Sequence, residues 1–142
     1  MPQPGGLYHY PGYVFPDGGQ RNKYVLLMGK TRADDWILAR TTTQPHGRSH
    51  NPPCYLGEPY PGFYIDKCDG LLTQPTWITL NRLDDYDARD FDTKVAAGDI
   101  TLLGELPLNT FCQILECAAR AQDATAAQER AMRDLRARLG CG

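Results

Sequence analysis

Every proline of this chain, and every glycine except Gly140 and Gly142, lies before residue 108. Proline fixes φ and removes a backbone donor, and glycine weakens regular structure, so long helices are disfavoured over that region. Its apolar residues occur as short runs cut by turn residues, the pattern of many short strands joined by hairpins. Beyond residue 108 the punctuation stops and the apolar residues recur at helical intervals. The chain therefore reads as mainly β with C-terminal helices, an α+β fold built on a small barrel. Residues 1–107 form the barrel and 108–140 a helical tail of the same domain. At 142 residues there is material for one such domain.

Individual runs fill in this outline. Tyr13-Val14-Phe15 and Lys23 to Met28 read as strands joined by a tight turn at Pro16-Asp17-Gly18-Gly19. The second run is apolar throughout, which predicts burial on both faces. Trp36 to Thr43 is a strand rich in aromatic and β-branched residues. Five prolines between Pro45 and Pro61 make that stretch a long irregular loop, and such loops are often functional. Phe63-Tyr64-Ile65, Thr76 to Leu80 and Ile100 to Gly104 complete the strands, while Asp84 to Asp92 reads as an acidic, solvated connection. Phe111, Ile114, Leu115 and Ala118 mark one helix; Thr125 with Gln128 caps a second, carrying Met132, Leu135 and Leu139 and ending at Gly140.

Charge and cysteine usage narrow the classes of function. A net charge of −2 gives no general field for polyanions, so any nucleic-acid role needs a local patch. No window approaches the length of a membrane span, and Met1 to Gly6 lacks the design of a secretory signal, which together predict a cytoplasmic protein without membrane contact. Five cysteines, an odd set without a CxxC, argue for reduced thiols.

The densest polar cluster is Arg40-Thr41-Thr42-Thr43-Gln44, followed by His46, Arg48 and His50 at the mouth of the long loop. Hydroxyls, an amide and guanidinium groups together can hold a phosphodiester and donate to a developing anionic oxygen; threonine runs are equally ordinary strand material. A second cluster, Arg21-Asn22-Lys23, precedes a strand expected to neighbour the threonine strand. His46, His50, Cys54 and Cys68 have the ligand types of a zinc site, without a familiar spacing. Trp77 and the tyrosines Tyr8, Tyr10, Tyr13, Tyr55, Tyr60 and Tyr64 offer faces for stacking unpaired bases, or simply pack the barrel.

The order of elements resembles the MazF/PemK-type toxins of bacterial toxin–antitoxin systems. The resemblance runs through Pro11-Gly12, the basic residues and apolar strand from Arg21 to Met28, the strand ending Thr41-Thr42-Thr43-Gln44, the tryptophan strand Thr76 to Leu80, and Gly104-Glu105-Leu106 before a helix. It implies an SH3-like barrel acting as a metal-independent endoribonuclease on single-stranded RNA, without a cofactor, with a homodimer and a cognate antitoxin protein as partners. By position the catalytic roles fall to Arg21 and to Thr42 or Thr43. Lys23, Gln44, His46, Arg48 and Trp77 would bind RNA. The alternative is a non-catalytic SH3-like barrel module that holds a protein or nucleic-acid partner.

Overall fold

The computed structural model describes residues 2–14, 20–66 and 72–141, apart from the side chains of residues 14 and 20–23. The strands are β1 (Gly6–Val14), β2 (Gln20–Lys30), β3 (Asp35–Thr42), β4 (Cys54–Tyr55), β5 (Gly62–Ile65), β6 (Thr76–Thr79), β7 (Asp84–Asp87) and β8 (Thr101–Glu105). The helices are α1 (Ala88–Ala97), α2 (Leu108–Arg120) and α3 (Ala126–Leu139). All strands join one antiparallel sheet in the order β4-β5-β6-β3-β2-β1-β8, curled into a half-barrel. Opposite β2, the other edge of β3 is divided: Asp35 to Leu38 pair with β7, and Thr41 and Thr42 with β6.

Strand alternation sorts the core into two layers. Leu26, Met28, Ile37 and Ala39 face α2 and α3, where Phe111, Ile114, Leu115, Met132 and Leu135 meet them. Val25, Leu27, Trp36 and Leu38 face the other way, with Tyr8, Tyr10, Tyr13 and Phe91 of α1. Strand β2 is therefore buried on both faces, as its unbroken apolar run predicts. Each such side chain contributes about 1.5–3 kcal/mol of burial. A register shift between Leu27 and Gly29 bends β2 where α3 crosses it. Gly29 has a φ of 151°, and a β-carbon there would stand 3.4 Å from Leu135 Cδ2, so the bulge calls for glycine.

The tail helices match the sequence. Thr125 Oγ accepts from Gln128 N at 3.1 Å, the Gln128 side chain accepts from Thr125 N at 2.9 Å, and Gly140 closes α3 in the left-handed region. The acidic stretch is a correction: Asp84 to Asp92 is no solvated connection but strand β7 and the start of helix α1. Asp87 caps the helix by accepting from Asp90 N at 2.8 Å, and Ala88 and Phe91 are buried beneath Tyr8 and Tyr86.

The cysteines are a second correction. Folding brings Cys54 to Cys117 and Cys112 to Cys141, with Cα separations of 5.7 and 5.6 Å, and both pairs are disulfide-bonded. Partners 63 and 29 residues apart in sequence meet only because α2 packs against both β4 and the end of α3. The turn at Pro16 to Gly19 and Cys68 lie outside the described residues. Among the described residues, no helix is long and apolar enough to cross a membrane.

Candidate functional site

The divided edge of β3 decides what its end presents. Thr41 pairs with Ile78 and Ile78 with Phe63, and this row turns into the core. One residue on, Thr42 pairs with Trp77 and Trp77 with Tyr64, so alternation turns this second row to the opposite face. The rings of Tyr64 and Trp77 lie 5.0 Å apart, and His50 meets Tyr64 edge-on at 5.6 Å. Thr42 Oγ accepts from Gln44 N at 3.1 Å, which leaves the hydroxyl hydrogen to donate. Thr43, Gln44 and His46 are exposed just beyond.

The long loop folds back over this row. Arg48 N donates to Pro45 O at 2.8 Å across a turn in which His46 has φ 48° and Gly47 φ 81°, the left-handed pair of a type I′ turn. Histidine in that region is strained by about 1 kcal/mol, and the turn holds its ring 5.1 Å from Tyr60. Arg48 points inward and is 6% exposed. It donates to the carbonyls of Gln44, Pro45 and Pro61 at 3.3–3.5 Å and lies 5.4 Å from the Tyr60 ring. Burial lowers its pKa, opposed by Tyr60 and Tyr55. The loop is also fastened by Trp77 Nε1 donating to Ser49 O at 3.2 Å and Tyr64 N donating to Pro53 O at 2.9 Å.

Thr42, Thr43, Gln44, His46, Arg48 and Trp77 lie in one region, but Arg48 holds the loop from within and Trp77 is mostly covered. The backbones of Arg21 and Lys23 lie on β2, paired with Tyr13 and Tyr10, on the strand beside Thr42. Their side chains fall outside the described residues. Cys54 is no free thiolate for zinc or for nucleophilic chemistry, because it is bonded to Cys117. Among the described residues, no group of three His, Cys, Asp or Glu side chains could hold a metal ion.

One cluster escaped the sequence reading. Arg40, two residues before Thr42 and so on its face, has Nε 3.5 Å from Asp84 Oδ2, and Arg82 Nε lies 3.8 Å from Asp84 Oδ1. Tyr13 Oη donates to the same carboxylate. Burial, and then the Asp84 bond, raise the Tyr13 pKa far above the ordinary phenol range, so it stays a neutral donor. The two-residue spacing of Arg40 and Thr42 was the available signal; the pairing of β3 with β7 that brings in Asp84 was not.

Comparison with protein-family models, with curated proteins and with solved structures finds no match to this chain, so the residues alone carry the functional reading.

Proposed function

We propose that the face at the end of β3 binds single-stranded RNA and cleaves it as a MazF/PemK-type toxin does, on an SH3-like barrel. The observation that carries this is the row Thr42, Trp77 and Tyr64 beside the exposed Gln44 and His46. Aromatic rings next to hydroxyl, amide and imidazole groups suit unpaired bases and the phosphates between them.

The chemistry needs only positioning and proton transfer. The ribose 2′-oxygen attacks the adjacent phosphorus, the bond from phosphorus to the 5′-oxygen breaks, and a 2′,3′-cyclic phosphate and a 5′-hydroxyl result. The 2′-hydroxyl proton passes to a base, and the departing oxygen takes one from an acid. In this reading Arg21 and Lys23 neutralise the scissile phosphate, Thr42 or Thr43 donates to its oxygen, and His46 exchanges the protons. Gln44 reads a base edge. The work is done in the cytoplasm, by a homodimer whose RNA face a cognate antitoxin covers.

A non-catalytic binding module is favoured by one observation: Arg48 and Trp77 Nε1 are both spent on the loop's own carbonyls. Incubation with a mixed single-stranded RNA pool separates the two readings. The endoribonuclease cuts, and Arg21→Ala/Thr42→Ala, still folded by circular dichroism, is at least about 100-fold slower. Undiminished cutting by that variant rejects the residue assignment. RNA retention without cutting by the unaltered protein supports the binding module.

A further inference from the structure

Apart from the bonds from Trp77 Nε1 to Ser49 O and from Tyr64 N to Pro53 O, the loop that covers Trp77 and Tyr64 is held by slight means. Its own strand, β4, is two residues long and, among the described residues, pairs only with Gly62 and Phe63. The Arg48 bonds are long, at 3.3–3.5 Å, and end on neutral carbonyls. Against these, Cys54–Cys117 is the one covalent tie between the loop and the helical layer among the described residues. Cys54 directly follows the stretch from Ser49 to Pro53 that closes over the tryptophan row.

The environment of this disulfide suits exchange. Cys54 is partly exposed, whereas Cys117 is 1% exposed, so attack is directed to Cys54 Sγ. A groove of about 350 Å³, lined by Pro52, Pro53, Cys54, Asn109, Gln113 and Arg120 among others, leads to it. Arg120 Nη2 lies 3.6 Å from Cys54 Sγ, where a cation stabilises a thiolate.

We propose that Cys54–Cys117 is a thiol–disulfide exchange site that gates the face beneath the loop, closed when oxidised and open when reduced by a dithiol reductant. One reductant thiolate attacks Cys54 Sγ, forming a mixed disulfide and expelling Cys117 as a thiolate, which takes up a proton. The second reductant thiol, losing its proton, attacks the reductant's own sulfur in that mixed disulfide and releases Cys54 as a thiolate beside Arg120. The reductant supplies two electrons and ends as a disulfide, and the protein ends with two reduced cysteines. Freed of its tie, the loop lifts and uncovers Trp77 and Tyr64. That the uncovered face takes RNA rests on the proposed function; the gate itself does not.

Hydrogen exchange on the full chain, read by mass spectrometry, tests it without RNA. After dithiothreitol treatment, with reduction verified by thiol counting, peptides from residues 45–64 are expected to exchange at least about tenfold faster. Peptides from residues 24–40 should be unchanged. Cys112→Ala/Cys141→Ala, which removes the second disulfide and keeps the gating pair, should respond in the same way. Cys54→Ser/Cys117→Ala should exchange fast with or without reductant. Equal loop exchange in the oxidised and fully reduced protein overturns the gate, and so does slow exchange in Cys54→Ser/Cys117→Ala. A loop that opens on a protein that never engages RNA keeps the gate and sinks the RNA reading instead.

Discussion

Arg48 is a buried cation that, among the described residues, has no carboxylate beside it; its charge is met by three carbonyls and the face of Tyr60. Space for it depends on Gly62. A β-carbon at that position would stand 2.8 Å from Arg48 Cδ and Nε and 3.1 Å from Ile78 O, so a methyl group there would expel the guanidinium. Gly62→Ala is expected to lose about 1–3 kcal/mol in urea denaturation. Because both changes break the same clip, Gly62→Ala should add little to Arg48→Ala. Fully additive losses would show that Gly62 serves something else. From sequence, Arg48 looks like one more cation of a polar cluster. Its inward orientation follows from the turn at His46-Gly47 and from β5 passing beneath it, and neither is written in the spacing.

At the scale of elements, the pairing of β3 with β7 carries a built-in repulsion. Asp35 stands directly opposite Asp87, and Asp85 pairs opposite Ile37 on the same ladder. Like charges facing each other across strands destabilise the pair. Partial burial, and then Asp85, Asp87 and Asp34, raise the Asp35 pKa. Since the folded value lies above the unfolded one, folded protein binds a proton that the unfolded chain has not yet taken up as pH falls through that window. Stability therefore rises on acidification there, as far as this group is concerned. Asp35→Asn is expected to raise Tm at neutral pH by roughly 1–3 °C, with the gain vanishing below the ordinary carboxylate range. A constant gain at all pH values would mean that charge is not its cause.

The same elements show how much the sequence disclosed. Strand β2 was legible because burial on both faces leaves an unbroken apolar run, and α3 because its cap and stripe are local. Helix α1 was obscured by its acidic surface, although Ala88, Phe91 and Val95 do fall at helical spacing behind the Asp87 cap. The disulfides were not legible: an odd cysteine count hides two pairs whose partners only tertiary packing brings together.

Across the whole molecule, one sheet separates two buried layers, and its divided strand β3 delivers Thr42, Trp77 and Tyr64 to one face under a loop tied to α2. The candidate residues after β3 were legible as a local cluster. The row they join was not, because it is made by cross-strand pairing among β3, β6 and β5. That this face cuts RNA is the central claim, and the ends of the products test it most directly. Single-stranded RNA incubated with the reduced protein in excess chelator should give upstream fragments whose mass carries a 2′,3′-cyclic phosphate and downstream fragments that begin with a 5′-hydroxyl. Intact RNA, or fragments that begin with a 5′-phosphate, would contradict it.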